Sequence, residues 1–265
     1  MISLNYERTI PLWHSAQCRL LGISPTPYQI YAEEVYGEGS WVAQYAFSRD
    51  GILLESTDEA DGENPDASAL ALPNGLKAPS TGWISMVLNH GGIPSRGLVR
   101  EERVIEMVKP FKTAEKQLLI ERGYLADLAP EDVLGLAGSF VISEGKLSQG
   151  LYLLVRQLRV AVRLPEVETG EDDQPFDYIT YDFPVLQSYL PNEPERSLNY
   201  ALMDEGTLGV MITCPTDCIV RDDLLVISDA GMGDAGRVSA IHLWQIEADE
   251  PPSEADKLYG TMDGR

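Results

Sequence analysis

From Leu151 to Leu164 the side chains alternate in character. Tyr152, Leu154, Leu158, Val160, Val162 and Leu164 share one parity, interrupted by Arg156, while Gln157, Arg159 and Arg163 take the other. A period of two belongs to a pleated strand with one dry face; a helix would scatter the arginines around its circumference. A strand this long cannot stand alone, so the chain must build sheets. Shorter runs of aromatic and β-branched residues between glycines and prolines repeat the signal: Tyr28–Tyr31, Trp41–Phe47, Trp83–Leu88, Phe176–Phe183, Leu208–Thr213, Cys218–Ile227 and Val238–Ile246. Phe140–Glu144 echoes Leu225–Asp229, and both read as a strand entering a turn. The pattern predicts a mainly β protein, an antiparallel β-sandwich or barrel built as one or two β subdomains.

Helical spacing is confined to one place. Leu98, Val104, Ile105, Val108, Leu118 and Leu119 recur at three- and four-residue intervals among charges. Pro110 should split this stretch, Thr113 would cap the second piece, and Gly123 would stop it. The organisation expected is an N-terminal β region over 1–97, a helical insertion over 98–136, a C-terminal β region over 137–247 and an extended tail over 248–265. Glu55–Ser80, Pro165–Pro175 and Leu190–Arg196 read as loops, the last because it holds Pro191 and Pro194.

Charge narrows the function classes. Asp and Glu number 42 against 20 Lys and Arg, a formal charge of −22 over 265 residues. Such a surface repels phosphate backbones and anionic lipid, so neither direct nucleic-acid binding nor membrane binding is expected. Met1–Arg8 has no basic start leading into an apolar run, so no signal peptide is expected there. Three cysteines, Cys18, Cys214 and Cys218, do not make a disulfide scaffold.

Several motifs suggest chemistry and fail on their context. Gly231-Met232-Gly233-Asp234-Ala235-Gly236 follows Leu224–Ile227 as a dinucleotide fingerprint would. The segment after it, Val238–Trp244, reads as a strand rather than a helix, which favours a glycine-rich hairpin connection. Cys214 and Cys218 form a C-x3-C pair, but structural zinc needs four ligands, and only Cys18, His14, His90 and His242 are left to supply the rest. The reading preferred is two small packed residues flanking a turn. Asp58-Glu59-Ala60-Asp61-Gly62 resembles a calcium loop in composition. With Gly62 sixth, however, Thr57 falls first and Ser68 twelfth, where carboxylates are required. Glu171-Asp172-Asp173 reads as a solvated acidic loop. His90 lies in a flexible glycine setting, and His242 alternates with Trp244 on a strand and reads as packed. Tyr28, Tyr31, Tyr36, Trp41 and Tyr45 would suit sugar stacking, yet at strand spacing they read first as core. No catalytic, cofactor-binding or metal-binding residue and no cofactor is assigned.

One stretch resembles a known family. Asp222-Asp223-Leu224-Leu225-Val226-Ile227, a glycine-rich turn, then Gly236-Arg237-Val238-Ser239-Ala240-Ile241 is similar to the last hairpin of tailed-bacteriophage head-closure and neck (head–tail connector) proteins. The likeness covers about thirty of the 265 residues. Ser239 stands where the family has an aromatic. The resemblance implies a non-enzymatic ring subunit of the virion neck or tail. Its partners would be copies of itself and neighbouring structural proteins, and its place the virion or the cytoplasm. The long loops and proline-rich tail also suit contact with neighbouring subunits. The alternative is a carbohydrate-binding or carbohydrate-active β protein, from the aromatic strands and abundant carboxylates.

Overall fold

The computed structural model describes residues 2–25, 27–36, 41–57, 69–79, 95–99, 116–117, 119–120, 125, 132–148, 150–163, 178–191, 193–203, 205–212, 214–231 and 236–248. The protein is mainly β, with antiparallel sheets throughout. The first strands are β1 (Ile2–Pro11), β2 (Gln17–Ile23), β3 (Gln29–Tyr36), β4 (Trp41–Ser48), β5 (Leu53–Ser56) and β6 (Ser95–Val99). They are followed by β7 (Val133–Lys146), β8 (Tyr152–Arg163), β9 (Tyr178–Leu190), β10 (Glu193–Leu202), β11 (Pro215–Arg221), β12 (Leu224–Asp229) and β13 (Ala240–Ala248).

Three sheets stack as a layered sandwich. The central sheet runs β1-β13-β12-β11, one outer sheet runs β2-β3-β4-β5, and the other runs β10-β9-β8-β7 with β6 beside β9. No closed barrel forms among the described residues. The two cores lie on opposite faces of the central sheet. Ile219, Leu224, Val226, Ile241 and Leu243 pack against Cys18, Leu20, Ile30, Ala32, Tyr45 and Phe47. Cys218, Leu225, Ile227, Trp244 and Ile246 pack against Leu151, Leu153, Val155 and Leu186. Each aliphatic side chain so buried stabilises the fold by about 1.5–3 kcal/mol relative to leaving it in water. Every residue of β12 is buried, and so are all but two of β13. The sequence pattern assigned Val238–Ile246 one dry side, and from Ala240 to Leu243 both sides are dry. A strand covered on both faces reads as a continuous apolar run, because neither parity meets water.

The strand β8 departs from its expected pattern in a related way. Leu151, Leu153 and Val155 face the central sheet, whereas Leu158, Val160 and Val162 turn the opposite face into a third core with Leu119, Leu125, Phe183 and Val185. The buried parity therefore changes at Arg156–Gln157, although the pairing of β8 with β9 runs unbroken from Tyr152 to Arg163. Arg156, which breaks the apolar pattern in the sequence, marks the point where one covering layer ends and another begins. Its guanidinium donates to Gln187 Oε1 at 2.6 Å and to Ser139 Oγ.

Other boundaries move for identifiable reasons. Leu98 and Val99, expected to open the helical stretch, close β6 and pair with Ile179 and Tyr178. Lys116, Gln117, Leu119 and Ile120 are helical, and β7 starts at Val133 inside the expected insertion. Pro110, Thr113 and Gly123 lie outside the described residues, as do Trp83–Leu88, the acidic runs Asp58–Gly62 and Glu171–Asp173, and positions 249–265. Leu208–Thr213 is not a strand: Glu205–Leu208 makes one helical turn, whose Leu208 carbonyl accepts the Trp244 indole N–H at 2.7 Å. Pro194–Arg196, expected as loop, belongs to β10. β9 also continues past Phe183 through Pro184. A strand residue's N–H and C=O point to the same side. The Pro184 carbonyl accepts from Met203 N at 2.9 Å, so the missing N–H lies on that side and not toward β8. There the neighbour of β9 changes: its pairing with β6 reaches Asp182 and its pairing with β10 starts at Val185, so no ladder bond is lost.

Candidate functional site

The glycine-rich motif lies in the connection between β12 and β13, which pair antiparallel with Asp229 opposite Ala240. A phosphate-binding βαβ turn requires parallel strands joined through a helix, so this is a hairpin. Gly231 is glycine for a steric reason. A Cβ there would lie 2.7 Å from both the Arg237 carbonyl oxygen and Ser15 Cα. The close approach lets Gly231 N donate to the Ala16 carbonyl at 2.9 Å.

The cysteines do not converge. Cys18 lies between the central sheet and the β2–β5 sheet, Cys218 faces the other core, and Cys214 is exposed. Burial pushes both buried thiols well above their ordinary value, which keeps them protonated and inert. Among the described residues no three His, Cys, Asp or Glu side chains are grouped to hold a metal. His14 packs edge-on against Trp41, with ring centroids 4.7 Å apart. His90 lies outside the described residues.

His242 belongs to a polar network at the end of the β7–β10 side of the central sheet. Pairing of β1 with β13 sets Thr9 opposite His242, and Thr9 Oγ1 lies 2.8 Å from His242 Nδ1. Thr9 Oγ1 also meets the Tyr6 hydroxyl at 2.6 Å. On the far side, His242 Nε2 has no hydrogen-bond partner and lies 3.6 Å from Asp229 Oδ2, beyond hydrogen-bond reach. The Asp229 carboxylate is already held, by Cys214 N at 2.6 Å and by Arg237 Nη2 at 2.9 Å. The residue types match a nucleophile–base–acid relay, and the geometry does not. General base chemistry needs an imidazole that a substrate proton can reach, and His242 is 2% exposed. The network closes the core where the apolar side chains end. Thr9 and His242 are 233 residues apart and meet through the β1–β13 pairing, while the β12–β13 hairpin supplies Asp229.

The aromatics divide. Tyr31 and Tyr45 are buried, while Tyr36 is 52% exposed. Trp13, which the strand pattern did not single out, is 50% exposed and stacks on Tyr45 with centroids 4.9 Å apart. Tyr45 in turn donates to the buried Glu34 carboxylate at 2.9 Å. At one edge of the same sheet, β5 pairs with β4 alone among the described residues. Ile52, Leu53 and Leu54 are 63%, 41% and 49% exposed along that rim. Neither lysine nor proline interrupts Leu53–Ser56. No helix among the described residues is long and apolar enough to cross a membrane. Neither a family model, nor a curated protein, nor a solved structure matches the chain.

Proposed function

We propose that this chain is a non-enzymatic structural subunit of a homo-oligomeric assembly, and that the assembly is a phage virion, with the chain a neck, tail or decoration subunit. The observation that carries the reading is the apolar rim at β5. An edge strand presents unpaired N–H and C=O groups, and proteins that remain separate blunt such edges with lysine, proline or bulges. Here a single shift of register at Leu54 and one carboxylate, Glu55, stand against three exposed aliphatic side chains. A strand added from a second copy would satisfy the backbone groups and remove Ile52, Leu53 and Leu54 from water. The virion assignment rests on the likeness of the β12–β13 hairpin to head-closure proteins. Of the residues that carry it, Leu224–Ile227 and Ser239–Ile241 are buried, whereas Asp222, Gly236 and Val238 are exposed.

Light scattering across a concentration series tests the proposal. The expected mass is a multiple of the single-chain mass. Because each copy carries −22, association should strengthen as salt screens the repulsion. The double variant Leu53→Lys, Leu54→Lys should return the protein to single chains with its circular dichroism unchanged. A single-chain mass at every concentration and salt would remove the proposal.

A carbohydrate-binding role is the second reading, favoured by the half-exposed Trp13 stacked on Tyr45 and by Tyr36, also half-exposed and edge-on to Trp41. A glycan array with no hits, or hits that survive Trp13→Ala, would dispose of it.

A further inference from the structure

The three sheets meet at a shallow, open cavity of about 280 Å³ lined by Gly75, Leu76, Lys77, Lys146, Arg221 and Asp222. Each layer contributes a cation. Lys146 is the last residue of β7, and Arg221 is the last residue of β11. Lys77 reaches the β2 edge, where its backbone pairs with Ile23. In a chain with 42 acidic and 20 basic side chains, three basic groups and one carboxylate around a single cavity reverse the prevailing sign.

The donors are unequally used. Arg221 is anchored, with Nη1 donating to the carbonyls of Ile23 at 2.6 Å and Gly75 at 2.8 Å. Lys77 Nζ donates to the Glu144 carbonyl. An ammonium carries three donors, so Lys77 keeps capacity after that bond, and Lys146 at the exposed mouth makes no hydrogen bond or ion pair among the described residues. Asp222 takes the Tyr28 hydroxyl at 2.9 Å and stands 3.9 Å from Arg221 Nε. Burial lowers the Lys77 pKa, an effect that neighbouring Arg221 reinforces and the carboxylates of Glu144 and Asp222 oppose. A cation that has lost water and retains unused donors is stabilised by a bound oxyanion.

We propose that this cavity is a binding site for a small phosphate-type oxyanion, free or carried on a small molecule, held by Lys77 and Lys146 with Arg221 fixing its floor. Lysine ammonium groups arriving from two separate layers suit the several oxygens of a tetrahedral anion better than the flat pair of a carboxylate. The site is separate from the β5 rim, so its fate is independent of the oligomeric reading.

The test uses the full chain and inorganic phosphate, with chloride and acetate at matched ionic strength. Phosphate should raise the thermal midpoint saturably, because a ligand that prefers the folded state stabilises it by mass action. Titration calorimetry should show the affinity falling by about tenfold or more in Lys146→Glu, whose exposed side chain can change without unfolding the protein. Lys77→Met should remove binding, and Lys146→Glu keeps the test decisive if Lys77→Met does not fold. A rise that is linear in phosphate and equal in Lys146→Glu would be the general salting effect and would overturn the site. An equal saturable response to acetate would overturn the phosphate assignment.

Discussion

The β12–β13 hairpin and the β5 rim belong to the same molecule and have opposite relations to water. In β12 all six side chains are buried, and the polar ones, Ser228 and Asp229, have partners inside the protein. In β5 the first three of four residues are exposed, and two of those are leucine. A sheet covered on both faces has no surface left on which to do chemistry, so its polar groups answer to one another. Among the described residues β5 is paired on one side only and leaves apolar carbon uncovered. The centre of the sandwich therefore accounts for stability, and its rim is where an interaction with another chain is to be sought.

If the contrast is right, the largest losses come from the centre. Trp244 is fully buried, packs with Leu225 and Ile246, and gives its indole N–H to Leu208. Trp244→Ala should destabilise the protein by about 3–5 kcal/mol, read as a fall in the urea midpoint. A fall of less than about 1 kcal/mol would mean that the core can close over the gap, and the centre would not be as rigid as described. Next comes the contact between layers. A Cβ on Gly145 of β7 would lie 2.5 Å from Val220 Cγ1 and 3.0 Å from the Val220 carbonyl oxygen in β11. Gly145→Ala should cost about 1–3 kcal/mol by forcing β7 away from the central sheet. An unchanged midpoint would show that the two layers can slide.

Sequence reasoning reached what is local and missed what is assembled. The strands at Trp41–Phe47 and Leu151–Leu164 were legible because pleating writes a period of two into consecutive residues. The hairpin around Gly231 was legible because the following segment kept strand composition. The change of dry face at Arg156 was not, since it depends on which layer lies above β8, and that layer includes Leu119 and Leu125 from elsewhere in the chain. Leu208–Ile212 has strand composition but forms no strand, and its Leu208 carbonyl serves as acceptor for the distant Trp244 indole. Pro194 suggested a loop because proline removes a donor, an argument that fails at an irregularity in the strand, where Pro194 has no residue opposite it in β9. The grouping of Lys77, Lys146 and Arg221 left no trace in spacing, because two strand ends and a residue bridged to Ile23 bring it together. The nearest available signal was the scarcity of cations in an acidic chain, which makes any group of three notable.

A smaller effect tests the seam between the central sheet and the β2–β5 sheet. Half-buried Asp217 of β11 accepts from Leu20 N of β2 at 2.9 Å. Burial raises its pKa above the ordinary value of 3.8, partly offset by the Leu20 N–H and by Arg19, while Glu33 adds to the rise. A carboxyl whose folded pKa is raised favours folding when protonated. Its contribution is therefore lost as pH climbs from 3.8 through the raised value. Asp217→Asn keeps an acceptor for Leu20 and carries no charge. It should match the parent protein below pH 3.8 and be modestly more stable at neutral pH, by chemical denaturation at each pH. A variant less stable at neutral pH would show that the charge itself, and not the acceptor, holds the seam.

The smallest expected change in stability is at the rim, and there the comparison is sharpest. Leu54 sits at the register shift of β5 and is 49% exposed, with one neighbouring strand. Leu54→Lys puts a charge on an edge that no other described residue pairs with beyond β4. The fold should lose no more than about 0.5 kcal/mol, as for other surface substitutions away from packed groups. The same lysine must be desolvated if a second strand docks, so association should weaken even though the single chain is unaltered. Stability and association are thus expected to separate: Trp244→Ala lowers the first, and Leu54→Lys lowers the second alone. If Leu54→Lys lowers the urea midpoint as far as Gly145→Ala does, Leu54 is part of a core, and the rim ceases to be a candidate interface.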